Sequence, residues 1–384
     1  MKHPFPAVVL TGGGSGGHIT PLLSLARELK AKEPNCQIIY IGFKGDQVDS
    51  LRAGNHDFDF MVFINAGKFR RYHGERLWRQ LTDFKTIGLN IRDFFRVLKS
   101  IGSAYRILAR TQPDVIFSKG GFVAVPVGLA GRLRRIPIVT HDSDVIGGLA
   151  NRIIGRFATV KTSGMPAHGA RYVGIPLNAS VQLVNSADQE KYKQLIGVPP
   201  ASRLILLAGG GNGSKRLNDL LLASAPDLLT AYPDIFIAHI TGAQHLSEVD
   251  HSYHKALPKD QLDRVKVFDY VTNLYEYSGA ADLIISRAGA TAIAEFATQA
   301  KACVIIPSPF LAGGHQLKNA QSLAGKDAAV VLSESLSADE LTGVINELLA
   351  DSSRRAELAA NLHALAKPGA SQELAKIILK LAEQ

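Results

Sequence analysis

The sequence predicts an α/β protein built from two doubly wound domains, on three observations. A glycine-rich turn occurs twice, as Thr11-Gly12-Gly13-Gly14-Ser15-Gly16-Gly17-His18 and as Ala208-Gly209-Gly210-Gly211-Asn212-Gly213-Ser214-Lys215. Each copy follows an apolar run, Ala7-Val8-Val9-Leu10 or Leu204-Ile205-Leu206-Leu207, and precedes a helical pattern, as the first strand-loop-helix of such a domain does. Apolar runs then alternate with helical stretches through both halves, the rhythm of parallel sheets covered by helices. Two such halves imply a cleft between them. Glycines at its edge let backbone N–H groups and a helix N-terminus approach an anion closely.

Along the first half, strands are expected near 7–10, 37–41, 60–64, 115–117 and 136–140. Helical patterns cover 21–30, 76–110 in two or more pieces, 123–134 and 148–157. Between Thr162 and Asn178 the residues Gly164, Pro166, Gly169, Gly174 and Pro176 punctuate the chain, so the connection between domains falls there. The second half repeats the scheme with strands near 204–207, 236–240, 265–268, 283–286, 304–306 and 329–332, and its polar entry, 181–191, reads as a mobile segment. After Ser337 the pattern is helical to the end, broken at Pro368-Gly369 before a last helix at 372–382. The expected division is 1–165, a hinge at 166–180, a second domain at 181–365, and a terminal segment, 366–384, packed near the hinge.

With 384 residues, 46% apolar and 20% charged, the chain can fill two cores. No apolar stretch approaches the roughly 18 to 20 residues that span a bilayer, and Met1-Lys2-His3-Pro4-Phe5-Pro6 has no signal-peptide core, so a cytoplasmic protein is expected. Cys36 and Cys303 fall in separate halves at strand starts and read as buried thiols. Nearly all of the net charge of +9 lies between Lys68 and Arg110, where eleven basic residues face three acidic ones. Arg70 and Arg71 open this stretch, and Trp78, Phe84, Phe94 and Phe95 are interleaved with it. The pattern fits a surface resting on anionic lipid headgroups, and equally an amphipathic helix pair with its aromatic residues in the core. It carries no recognised nucleic-acid motif, and no nucleic-acid partner is expected.

Gly12-x-Gly14-x-x-Gly17 matches the dinucleotide fingerprint, yet the second apolar run ends Ile41-Gly42-Phe43-Lys44, without the acidic residue that a nicotinamide ribose requires. His18 opens a helix directly after the loop. The positive end of a helix disfavours imidazolium, which keeps a base neutral and available; capping or packing is its plainer role. Lys119-Gly120-Gly121-Phe122 and His141-Asp142-Ser143-Asp144 stand at carboxyl ends of expected strands, the edge where open α/β sheets bind ligands, though the aspartates serve equally well as helix caps. In the second half, Ser286 to Glu295 passes through small residues into a helix, so a diphosphate can approach and Glu295 can accept from two ribose hydroxyls. His315-Gln316-x-x-Asn319 opens another helix and presents imidazole and amide groups to a sugar. The sequence is read as offering no Asp-x-Asp metal signature, and no metal or other cofactor is expected.

Taken in order, TGGGSGGHITP at 11–21, SKGGFVAVPV at 118–127, HDSDVIGGLANRI at 141–153, AGGGNGSKRLN at 208–218, SRAGATAIAE at 286–295 and HQLKNA at 315–320 resemble the MurG family of GT-B glycosyltransferases. The resemblance spans most of the chain. It implies two Rossmann-like domains and inverting transfer of N-acetylglucosamine from UDP-GlcNAc to the 4-hydroxyl of undecaprenyl-diphosphate-linked muramyl pentapeptide (lipid I). The product would be lipid II, made for peptidoglycan by a peripheral enzyme on the anionic cytoplasmic face of the plasma membrane.

Carried residue by residue, the resemblance implies that Ser15, Gly16 and Gly17 face the phosphates and that His18 is the general base, with Asp144 the second candidate. Ala290 and Thr291 begin the diphosphate cradle, Glu295 holds the ribose, Gln316 beside His315 reads the GlcNAc hydroxyls, and Val271 lies near the uracil. Two donor positions depart from the family. Its hinge commonly reads Asn-Pro-Val-Arg or Ser-Pro-Val-Arg where this chain has Ile175-Pro176-Leu177-Asn178, and a Gly-Ser-Gln loop is usual where this chain has Gly211-Asn212. Lys215 or Arg287 could supply the missing charge. Three competing readings are a glycolipid synthase acting on diacylglycerol, a nicotinamide-dependent dehydrogenase, which explains the first loop alone, and a non-catalytic membrane scaffold.

Overall fold

The computed structural model describes residues 4–13, 16–43, 57–65, 84–166, 169–310 and 314–384, with the main chain alone at 16–18 and 84–95. The chain divides into two compact units, Met1–Asn178 with Lys367–Gln384, and Ala179–Ala366.

The first unit holds a parallel sheet in the order β3-β2-β1-β4-β5-β6-β7. Its strands are β1 (Ala7–Thr11), β2 (Gln37–Phe43), β3 (Phe60–Ile64), β4 (Val115–Ser118), β5 (Ile138–Asp142), β6 (Val160–Ser163) and β7 (Arg171–Tyr172). Helices α1 (Gly16–Lys32), α2 (Phe84–Thr111), α3 (Ala124–Leu133) and α4 (Leu149–Ile154) connect them. Strands β1 and β4 are buried on both faces, which is why they read as unbroken apolar runs. Val8, Leu10 and Phe117 face one core with Leu22, Leu25 and Leu29 of α1. Val9, Ile39 and Ile116 face another with Ala104 and Leu108 of α2 and Val127 of α3.

The second unit repeats the plan in the order β10-β9-β8-β11-β12-β13. Its strands are β8 (Arg203–Ala208), β9 (Ile235–Ile240), β10 (Val265–Phe268), β11 (Leu283–Ser286), β12 (Cys303–Ile305) and β13 (Val330–Val331). Its helices are α5 (Ser186–Leu195), α6 (Lys215–Ala231), α7 (Leu246–Ala256), α8 (Lys259–Leu262), α9 (Leu274–Ala280), α10 (Ala290–Thr298), α11 (His315–Ala324), α12 (Ala338–Ala350) and α13 (Ser352–His363). The repeat reaches single hydrogen bonds. Asp114, just before β4, accepts from the Ala7 N–H at 2.8 Å, and Asp282, just before β11, accepts from the Leu204 N–H at 2.7 Å. Each carboxylate pins the start of its central strand. Both cysteines are buried thiols.

The polar stretch expected to be mobile instead contributes α5. Asn185 caps it by accepting from the Asp188 N–H at 2.9 Å, and the Gln189 amide donates to the carbonyls of Ala280 and Ala281. Hydrogen bonds rather than an apolar stripe seat this helix, so periodicity misses it. The last helix, α14 (Ala370–Ala382), returns to the first unit, where Leu374, Ala375 and Ile378 join the core beneath α1. Arg171 and Glu373 pair at 2.8 Å beside it. Gly174, at φ +86°, is required where a Cβ would come within 2.5 Å of the Lys367 carbonyl oxygen.

Candidate active site

Parallel strands put all carboxyl ends of the second sheet on one edge, and the chain leaves β8 and β11 in opposite directions. That switch point is where open α/β sheets bind ligands. Crowding dictates the glycines there. A Cβ on Gly213 (φ +73°) would be driven into the Thr241 carbonyl, and one on Gly242 (φ +86°) would lie 2.5 Å from the Asn212 carbonyl oxygen, because the loops after β8 and β9 cross backbone to backbone. A buried chain of hydrogen bonds holds the crossing. Tyr253 donates to His239 Nδ1 at 3.0 Å, His239 Nε2 donates to Asn218 Oδ1 at 3.1 Å, and Asn218 Nδ2 donates to the Thr241 carbonyl at 3.0 Å. Burial lowers His239 to about 3, so the imidazole in this chain stays neutral.

Helix α10 begins at Gly289 without a side-chain cap, and Asn319 of α11 donates to the Ala288 carbonyl at 3.0 Å, tying the two helix starts together. Glu295 lies in the second turn of α10, 9% exposed, with Oε1 at 3.4 Å from Ser278 Oγ of α9. Burial raises its carboxyl to about 7, against a smaller opposing effect of the Ser278 hydrogen bond. Tyr270 is near enough that its phenol, raised first by burial, is raised further by Glu295. Val271 follows it and packs in the core shared by Leu274 and Ala292. Gln316 is oriented by its Oε1, which accepts from the Ser308 N–H at 2.8 Å, and His315 is the first residue of α11. Gly211, Val271, Ala290, Thr291, Glu295, His315 and Gln316 thus all sit on or beside one sheet edge.

The cations expected to supply extra donor charge have other partners. Arg287 pairs with Glu334 and donates to Ser214 Oγ at 2.7 Å and to the Ile306 carbonyl at 3.1 Å. Lys215 bridges Glu248 at 2.9 Å and Asp219 at 3.4 Å.

In the first unit the corresponding switch point lies between β1 and β4. Gly12 approaches β4 so closely that a Cβ would sit 2.9 Å from Lys119 Cβ, and its carbonyl accepts from the buried Tyr40 hydroxyl at 2.9 Å. Lys119 donates to Ser143 Oγ at 2.7 Å. Asp142 Oδ1 accepts from the Gly148 N–H and from Asn151 Nδ2, both at 3.0 Å, so this aspartate clips its own loop, with Asp144 inside the loop. Gly16, Gly17 and His18 form the start of α1, but their side-chain surroundings lie outside the described residues, as does Ser15 altogether. Asn178 closes the first unit. The expectation that the chain has no Asp-x-Asp signature, the type a metal-assisted transfer uses, is wrong, since two such triplets occur. In 57–59, Asp57 pairs with Arg27 at 2.9 Å and Asp59 with Lys30 at 2.8 Å; in 142–144, Asp142 has the loop role just described.

Of the basic-aromatic stretch, Arg70, Arg71 and Trp78 lie outside the described residues, as do the side chains of Phe84, Phe94 and Phe95. What remains extends to a neighbour that the charge count stopped short of. Leu133, 67% exposed, is the last residue of α3 and stands among Arg132, Arg134 and Arg135, and the Arg134 guanidinium lies 5.1 Å over the Tyr105 ring of α2. Among the described residues no helix is long and apolar enough to cross a membrane.

Models of the glycosyltransferase family 28 N-terminal and C-terminal domains match residues 8–161 and 204–374. The chain is 36% identical over 339 residues, 85% of each chain, to a UDP-N-acetylglucosamine--N-acetylmuramyl-(pentapeptide) pyrophosphoryl-undecaprenol N-acetylglucosamine transferase of Clostridium botulinum. It is 29% identical to the enzyme of the same name from Natranaerobius thermophilus, over 97% of this chain and 99% of that one. Among solved structures it resembles the MurG of Acinetobacter baumannii, with a TM-score of 0.71 and 25% identity over 98% of this chain and 99% of the other. With both halves matched, and matched in order, the chain belongs to the MurG family of family 28 glycosyltransferases.

Proposed function

We propose that this chain transfers N-acetylglucosamine from UDP-GlcNAc to the muramyl 4-hydroxyl of undecaprenyl-diphosphate-linked muramyl pentapeptide, converting lipid I to lipid II. The observation that carries the reading is the second unit's edge, where an uncapped helix start, a buried carboxyl and an oriented amide stand together in a chain related over most of its length to enzymes of that name. In this reading the diphosphate lies at the start of α10, Glu295 accepts from the ribose hydroxyls, Val271 borders the uracil, and Gln316 with His315 reads the sugar. His18, with Asp144 as the second candidate, takes the proton of the acceptor hydroxyl as it attacks C1 from the face opposite UDP. Departing negative charge is met by backbone N–H groups and the helix dipole, with no metal required.

The basic residues of α2 with Arg132, Arg134 and Arg135 support, in this reading, a peripheral enzyme that rests on anionic headgroups at the cytoplasmic face of the membrane. The test is transfer of labelled GlcNAc to a lipid I analogue, with diacylglycerol as the rival acceptor and a chelator arm. Lipid II formation that survives chelation is the expected result. Glycosylated diacylglycerol would favour a glycolipid synthase, no transfer to either lipid a scaffold, and loss on chelation would return the metal to the mechanism.

A further inference from the structure

The buried imidazole of the second unit has a role that deepens the donor half of the reading above, and rests on it. His239 holds the place in its half that Tyr40 holds in the first. Leu10 pairs with Tyr40 and Leu207 with His239, each one residue before the end of the strand that feeds a glycine turn. Both side chains are fully buried. Tyr40 donates directly to the Gly12 carbonyl of its turn at 2.9 Å, whereas His239 acts through Asn218 of α6.

Direction along this second chain of hydrogen bonds is forced from its far end. The Thr241 carbonyl can only accept, so the Asn218 amide turns its Nδ2 towards it and leaves Oδ1 for the imidazole. An amide oxygen also only accepts, so His239 carries its proton on Nε2. Burial keeps the ring neutral, and its Nδ1 therefore accepts from the Tyr253 hydroxyl. Without that hydroxyl nothing selects the tautomer that Asn218 needs.

What the chain holds is the turn after β8. The Thr241 carbonyl is the group against which Gly213 packs too closely for any Cβ, and the Gly213 N–H donates to the Gly210 carbonyl at 2.8 Å, closing the turn. Gly210, Gly211 and Asn212 stand exposed along it, on the strand next to β11 and at the carboxyl edge of the sheet. Moving the Thr241 carbonyl moves this turn.

We infer that His239 is a positioning residue for the donor: in its Nε2–H form, fixed by Tyr253, it holds through Asn218 and Thr241 the turn from Gly210 to Gly213 where the UDP-GlcNAc diphosphate binds.

The experiment measures kcat, the KM of both substrates and UDP affinity by calorimetry in Y253F, H239L and H239Q, with V249A as the control. Val249 shares α7 and its core with Tyr253 but takes no part in the chain, so V249A loses stability without loosening the turn. Y253F is expected to raise the KM for UDP-GlcNAc and the UDP dissociation constant about two- to tenfold, the worth of one hydrogen bond, with kcat and the acceptor KM unchanged. H239L, which leaves the Asn218 oxygen unpaired, raises them further. H239Q, whose amide can donate to Asn218, recovers most of the loss. An unaltered donor KM in Y253F, which lacks a single oxygen and carries the test even where H239L does not fold, overturns the proposal. An equal rise in V249A overturns it as well, since general loosening then accounts for the effect. A native protein that binds no UDP overturns the functional reading and this inference with it.

Discussion

Burial leaves the Glu295 carboxyl close to half protonated at neutral pH, since its value is raised to about 7. In the proposed reading ribose hydroxyls donate to the ionised form, so UDP-GlcNAc binding is expected to expel the proton whenever the acid form prevails. Affinity should be full above about 7 and weaken as pH falls through it, approaching tenfold per unit. Calorimetry of UDP binding checks this: proton release on binding below neutrality is expected, and E295Q should bind weakly with no pH dependence. His18 is the base proposed for the other half of the chemistry. H18A is expected to lower kcat by about 10²–10⁴ while leaving UDP-GlcNAc binding intact, as measured by turnover and calorimetry together. Weakened binding with normal turnover would remove it as the base. Both residues were legible in the sequence as candidates. The environment that sets the Glu295 carboxyl was not, because Ser278 and Tyr270 arrive from α9 and the loop after β10.

At the scale of elements, the glycine loop after β8 is an architectural demand. Gly213 and Gly210 both adopt positive φ, but only Gly213 abuts another backbone, that of Thr241. G213A should therefore lose more than the about 1–3 kcal/mol of backbone strain alone, whereas G210A, in open space, should lose no more than that strain. Thermal or denaturant unfolding of the two variants checks the order. The loops themselves were readable from glycine spacing, as were the central strands, whose two buried faces impose continuous apolar runs. Strands β6 and β7 were not. They are short, lie at the sheet's end and carry Lys161, Thr162 and Arg171, so no apolar run announces them. Helix α5 escaped for a related reason, being seated by Gln189 and a capping asparagine rather than by a stripe. The Tyr253–His239–Asn218 chain joins three elements and leaves no mark in any one of them.

Taken as a whole molecule, the chain carries its repeat down to the aspartate that pins each central strand, and it assigns the halves different charge. The excess of basic residues lies in the first unit, where Leu133 stands exposed among three arginines. Replacing Arg132, Arg134 and Arg135 together by glutamate should weaken binding to anionic vesicles by at least about 1 kcal/mol per cation removed, most strongly at low salt. Sedimentation with vesicles of graded anionic content reads this out, and transfer to a soluble acceptor analogue should be unchanged. Equal sedimentation of variant and native protein would remove this turn from the membrane surface.

The claim on which the rest depends is that the second unit's edge holds the sugar nucleotide. A crystal of the protein grown with UDP-GlcNAc tests it most directly. The expected map has the diphosphate against the first turn of α10, the ribose hydroxyls on Glu295 and the sugar beside Gln316. A nucleotide bound anywhere else, with Glu295 still closed against Ser278, would contradict the account.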